Sequence, residues 1–138
     1  MDGDSGQSLV TRTSIVGGLV GGLVHASIAV VLWNYWFDSI WAMLTTKPLN
    51  GVYLLLGMFL LGFVPVVFYV SEKVVSPVIV VVGFLLLSGV GSWLATPVRA
   101  PSAAPTPFAL YILLWAGIVA LAGLTGGFEY RRKHRATN

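Results

Sequence analysis

Residues 14–36, SIVGGLVGGLVHASIAVVLWNYW, decide the fold of this chain. As a helix these 23 residues would rise about 34 Å, enough to cross a hydrocarbon core of about 30 Å. The stretch is longer than the apolar region of a signal peptide, and it ends in Trp33, Tyr35 and Trp36. We therefore predict a retained membrane-spanning helix.

The first half of this helix carries four glycines, Gly17, Gly18, Gly21 and Gly22. Each disfavours an exposed soluble helix by about 1 kcal/mol relative to Ala. In a membrane, small residues four apart leave a groove that a second helix backbone can approach closely. One face then collects residues at helical spacing: Ser14, Gly18, Gly21 or Gly22, His25, Ala29, Leu32 and Trp36. The pattern predicts that His25 lies on the packed side, near mid-bilayer.

The composition of the whole chain fits a membrane domain. Of the 138 residues, 57% are hydrophobic and 9% are charged, whereas about a quarter of the residues in soluble domains are charged. The chain has no cysteine, which excludes disulfides and thiolate metal sites. A soluble catalytic domain needs about 50 residues or more, and the apolar spans leave no room for one.

Three further apolar stretches have the length of membrane spans, at about residues 51–70, 77–95 and 108–128. Pro65 predicts a kink in the second span. Ser76 and Thr106 are predicted N-caps, each followed by a proline in the first helical turn. The sequence therefore predicts an all-α membrane protein of one domain, built as a four-helix transmembrane bundle.

The segments between the spans are short. Residues 37–50 read either as a brief interfacial helix capped by Asp38 or as an irregular loop, and Asn50-Gly51 is expected to turn into the second span. Residues 96–107 hold four prolines and read as a stiff linker outside the bilayer. Residues 129–138 are expected to form a short basic tail.

The last span carries a second seam of small residues, Ala116, Ala120, Gly123 and Gly127. We expect this seam to pack against the glycines of the first span. Ser88, Ser92 and Ala95 give the third span a small-residue face as well.

Four crossings would place both termini on one side of the membrane. Six of the eight basic residues fall on that side, whereas Lys47 and Arg99 fall on the other. By the positive-inside rule both termini should be cytoplasmic, in a multi-pass protein of the cell membrane.

His25 is the one residue of the spans that could carry chemistry, because ionisable groups inside a membrane often mark ion paths or ligands. As a structural donor it would bond to a backbone carbonyl or to Ser88, Ser92 or Thr125 on another helix. As a proton relay it would need a polar path, and the spans hold no Asp or Glu. As a haem ligand it would need a second histidine, which only a homodimer could supply. No catalytic group, metal site or cofactor is expected.

The sequence therefore predicts a non-catalytic membrane subunit or accessory protein of a larger membrane assembly. Its partners would be the lipid bilayer and either other membrane subunits or further copies of itself, and no nucleic-acid partner is expected. The alternative is a small oligomeric channel or transporter with His25 in the translocation path. A basic tail of this kind fixes topology or binds anionic headgroups.

Overall fold

The computed structural model of the chain describes residues 11–95 and 105–135, which form six helices and no strand. The helices are α1 (Arg12–Trp36), α2 (Ile40–Thr46), α3 (Pro48–Glu72), α4 (Ser76–Ala95), α5 (Pro107–Leu113) and α6 (Trp115–Arg135). The prediction of an all-α protein is confirmed for this part of the chain. Most of the predicted linker, at residues 96–104, and the last three residues of the predicted tail lie outside the described residues.

Three of the helices, α1, α3 and α4, are each long and apolar enough to cross a membrane. The sequence predicts one continuous span over residues 108–128, whereas the structure divides this region into α5 and α6, with a bend of 71° between them. The two helices together make a fourth stretch of sufficient length and hydropathy. Three to four such stretches are the mark of a multi-pass membrane protein.

Contacts with α3 surround the break between α5 and α6. The Tyr53 hydroxyl donates a hydrogen bond of 3.0 Å to the Leu113 carbonyl, which satisfies a backbone acceptor at the bend. The Trp115 indole lies over Gly57, where an added Cβ would overlap the ring. Trp115 therefore fills the space between α3 and α6 that only a glycine leaves open.

The segment after α1 contains a brief helix, one of the two alternatives that the sequence leaves open. Its N-cap is Ser39 and not Asp38, because the Ser39 hydroxyl accepts the Trp41 N–H. Asn50-Gly51 does not form a turn. Pro48 already begins α3, where a proline is favourable, and Gly51 packs against Leu44 of α2.

The glycine face of α1 packs along α3, its most extensive neighbour, and not along the last span as the sequence predicts. Gly22 lies against Phe59, and Gly18 lies against Phe63 and Val67. Gly21 meets Gly62, so closely that a Cβ on Gly62 would collide with the Gly21 carbonyl oxygen. Only a short connection separates α1 from α3 in sequence, which favours pairing between these two helices.

The buried face of α6 differs from the predicted seam. Ile118, Ala122 and Gly126 are buried, and Gly126 faces Pro77 of α4. Ala116 and Ala120 are exposed, and no atom of the described residues lies within 4 Å of a Cβ added at Gly123 or Gly127. The predicted seam and the buried face both have helical spacing. Only the buried face, which includes Gly126, packs against α4.

Several predictions about helix ends are tested by the structure. Thr106 caps α5, since its side chain accepts the Ala109 N–H at 3.2 Å, so this predicted cap is confirmed. Ser76 is the first residue of α4 and not its N-cap. Pro65 is buried inside an uninterrupted α3. The basic residues expected as a tail continue α6 as far as Arg135.

We expect Gly62→Ala to lower the free energy of unfolding by about 1–3 kcal/mol, because the added methyl group would press on the backbone of α1. The matched control is Gly83→Ala, at a glycine with no neighbour within 4 Å among the described residues. There the better helix propensity of Ala should leave stability unchanged or raise it by up to about 1 kcal/mol. Unfolding in mixed micelles measures both, and equal effects would contradict the close approach of α1 and α3.

Candidate functional site

His25 is buried where α1, α3 and α5 meet, with 8% of its surface exposed. Its Nδ1 atom lies 2.6 Å from the carbonyl oxygen of Met58 on α3. Its Nε2 atom lies 2.8 Å from the hydroxyl of Tyr111 on α5. The imidazole therefore joins three helices through two hydrogen bonds.

The two partners fix the tautomer of this histidine. A carbonyl oxygen only accepts hydrogen bonds. Nδ1 therefore carries the proton, and its N–H donates a hydrogen bond to the Met58 carbonyl. In the neutral ring Nε2 then has a lone pair, which accepts the Tyr111 O–H. Each polar atom of the ring has a partner, which a membrane interior requires because no water is present there to replace one.

Gly62 and Gly21 allow this geometry. A Cβ on Gly62 would come within 2.5 Å of the His25 Cβ and would also collide with the Gly21 carbonyl oxygen. The absence of a side chain at Gly62 thus lets His25 approach the backbone of α3. Gly21 and Gly62 therefore allow the close approach of α1 and α3, and this approach brings the His25 imidazole to the Met58 carbonyl.

Aromatic side chains surround the Tyr111 end of the site. The rings of Phe108 and Tyr111 lie 6.2 Å apart, and the Trp36 ring lies 5.3 Å from Phe108. Phe108 is fully buried, and Tyr111 is 3% exposed. The Tyr111 ring is therefore buried beside Phe108, and its hydroxyl donates a hydrogen bond to His25.

A cavity of about 240 Å³ opens beside His25, between α1, α3 and α4. His25 is the one polar side chain among its lining residues, and the others are glycine, proline and aliphatic residues. Val24, Ile28 and Val82 of its wall are about half exposed. The cavity can accept an apolar group, and it offers no second polar side chain for a proton or an ion.

The sequence identified His25 and its buried face but only part of its bonding. Of the predicted acceptors, the backbone carbonyl is correct, whereas Ser88 and Thr125 bond to carbonyls of their own helices, at Leu85 and Ala122. Ser92 accepts the Phe108 N–H at 2.9 Å. Tyr111 was missed, although it is the one tyrosine in the predicted fourth span.

A second polar cluster lies at the far end of α6, beyond its apolar stretch. The Glu129 carboxylate accepts the N–H groups of Val75 and Ser76 at 3.2 and 2.9 Å, and so caps the N-terminus of α4. Lys133 pairs with Glu129 at 2.9 Å and donates to the Lys73 carbonyl at 2.7 Å. The hydrogen bonds from the Ser76 backbone and from Lys133 lower the pKa of Glu129 from 4.5 to about 2.

We expect Tyr111→Phe to lower the free energy of unfolding by about 1 kcal/mol, because Nε2 of His25 loses its donor while the ring packing remains. Tyr35→Phe is the matched control, since Tyr35 is 73% exposed. Imidazole nitrogen NMR should also show the proton on Nδ1 in the unmodified protein. A proton on Nε2, or equal effects of the two variants, would contradict the assigned bonding.

We expect Glu129→Ala to speed amide hydrogen exchange at Val75 and Ser76 by about fivefold, because both N–H groups lose the carboxylate that caps them. Glu72→Ala, at the end of α3, is the control. The folded pKa of Glu129 is lower than its ordinary value. The protection should therefore be complete above pH 4.5 and decline as the pH falls toward about 2. Protection lost already at pH 5 would contradict the cap.

Comparisons with family models, with curated proteins and with solved structures find no match for this chain. A functional proposal therefore depends on the contacts of its own residues. The two features that bear on it are the hydrogen-bonded His25 and the uncovered face of α6.

Proposed function

We propose that this chain is a non-catalytic integral membrane subunit or accessory protein of a larger membrane assembly. One observation carries the proposal: Ala116, Ala120 and Gly123 form a small-residue face of α6 that no described part of the chain covers. A helix of another polypeptide would pack on this face.

Helix energetics favour a partner at this face over lipid alone. Gly123 and Gly127 each cost about 1 kcal/mol of helix propensity, and lipid chains gain nothing from small residues in return. At several glycines the cost is offset by packing, as at Gly126 against Pro77 and at Gly21 against Gly62, whereas Gly83 also lacks a neighbour. Gly123 differs from Gly83 because it continues a row of small residues with Ala116 and Ala120, which a neighbouring helix could approach closely.

The bonding of His25 supports a structural role for this residue. A proton relay or a metal ligand needs a ring nitrogen that is free to change partners. Here Met58 and Tyr111 occupy both nitrogens. His25 then serves to join α1, α3 and α5, and the subunit contributes architecture to its assembly.

The proposal includes a four-helix bundle in the cell membrane with both termini on the cytoplasmic side. Gly17 of α1 faces Val70 of α3, and Lys133 of α6 reaches the Lys73 carbonyl. These two contacts, one near the start of α1 and one near the end of α6, support a common side for the two termini. Basic residues are concentrated on that side, in agreement with the positive-inside rule.

The second candidate is a small oligomeric channel or transporter that uses His25. The cavity beside the imidazole is the observation that favours it. Purified protein in liposomes would then move protons or a solute, and His25→Ala would abolish the flux in protein that remains folded. Such a result would replace the subunit proposal.

We expect Gly123→Leu to release a different polypeptide that copurifies with the unmodified chain in gentle extracts of its own membrane. Overpacking of about 1–3 kcal/mol weakens an interface by about fivefold to 150-fold, which native mass spectrometry detects as lost partner mass. Gly83→Leu is the matched control, because Gly83 is also a helical glycine with no neighbour within 4 Å in the described chain.

Two outcomes would contradict this prediction. The unmodified chain would contradict it by forming only homo-oligomers, and Gly83→Leu would contradict it by releasing the partner as effectively as Gly123→Leu. Thermal unfolding of both variants verifies that neither substitution disrupts the chain itself.

A further inference from the structure

The C-terminal end of α6 presents one charged face to the surroundings. Arg131, Arg132 and Arg135 are exposed, and together with Phe128 they line a pocket of about 220 Å³. Residues three and four apart lie on the same side of a helix, so these four side chains form a single surface. We call it the arginine face.

Lys133 does not belong to this surface. Its ammonium is engaged by Glu129 and by the Lys73 carbonyl, on the side of α6 that packs against the turn before α4. The Glu129 carboxylate is likewise engaged by Val75 and Ser76. Glu129, the acidic residue nearest to the arginines in sequence, thus has its hydrogen-bond partners on the side of α4, and the three arginines give their face an excess of positive charge.

Apolar side chains continue the arginine face toward the membrane interior. Leu124 and Phe128 are each 73% exposed, and they precede Arg131 and Arg132 at helical spacing. Phe128 ends the apolar stretch of α6 and the arginines follow it, an order typical of a helix end at a membrane surface. Guanidinium groups bind phosphate in a bidentate manner, and apolar side chains below them suit an acyl chain.

We propose that the arginine face is a binding site for the phosphate headgroup of an anionic phospholipid, with Leu124 and Phe128 against its acyl chain. This face adjoins the Ala116, Ala120 and Gly123 face, because Gly123 lines one pocket together with Leu124, Phe128 and Arg131. The site orders the lipid next to the chain and ties the end of α6 to one leaflet.

The test uses the full-length chain in mixed micelles with added dioleoyl phosphatidylglycerol or dioleoyl phosphatidylcholine, whose acyl chains are identical. Native mass spectrometry measures the affinity for each lipid. The unmodified chain should prefer phosphatidylglycerol. Because each basic residue near a lipid surface contributes about 1 kcal/mol, R131Q/R135Q should weaken phosphatidylglycerol binding about thirtyfold.

The matched control is R12Q/K47Q, which removes the same net charge at other places in the chain and should retain the preference. Arg132→Gln alone should weaken binding about fivefold. Equal weakening by the two double variants would overturn the proposal, because net charge would then suffice. Equal affinity of the unmodified chain for both lipids would also overturn it, as would displacement of the lipid by excess inorganic phosphate.

Discussion

The structure depends on one constraint, that an ionisable ring buried between membrane helices is stabilised by hydrogen-bond partners within the protein. His25 meets it through the Met58 carbonyl and the Tyr111 hydroxyl. The first bond requires the backbones of α1 and α3 to approach each other, which Gly21 and Gly62 allow. The second requires α5 to place the Tyr111 hydroxyl within hydrogen-bond distance of Nε2. The two hydrogen bonds of His25 therefore form only when α1, α3 and α5 are correctly positioned.

At the polar end of α6, charged side chains supply the hydrogen-bond partners of backbone groups. The first N–H groups of α4 have no partner in their own helix. The Glu129 carboxylate of α6 accepts the N–H of Ser76, the first residue of α4, and the N–H of Val75, the residue before it. Lys133 balances that carboxylate and also bonds to the carbonyl of Lys73. The core and the membrane boundary thus use different chemistry, a neutral hydrogen-bonded ring in one and an ion pair at a helix terminus in the other.

The sequence predicts which face of α1 is buried, but it does not predict which helix covers that face. Helical spacing alone identifies the buried side of α1 with His25 on it, because periodicity is a local property. Which helix covers that side depends on the whole chain, and α3 rather than the last span covers it. On α6, Ala120 and Ala122 both lie in rows of small residues, so composition cannot distinguish the covered row from the open one. Tyr111 and Glu129 bond to residues 86 and 53 positions away, which no local pattern reveals.

The bonding of His25 also bears on the choice between a structural role and a conducting one. A second proton on the ring would have to reside on Nε2, which now accepts the Tyr111 O–H. The tyrosine would then have to rotate its proton away from Nε2 and accept a hydrogen bond in turn. Each transfer would therefore break the buried hydrogen bond that Tyr111 now donates to His25, at a cost of about 1–3 kcal/mol. The neutral ring with both partners in place has no such cost, and this asymmetry favours His25 as a fixed joint between helices.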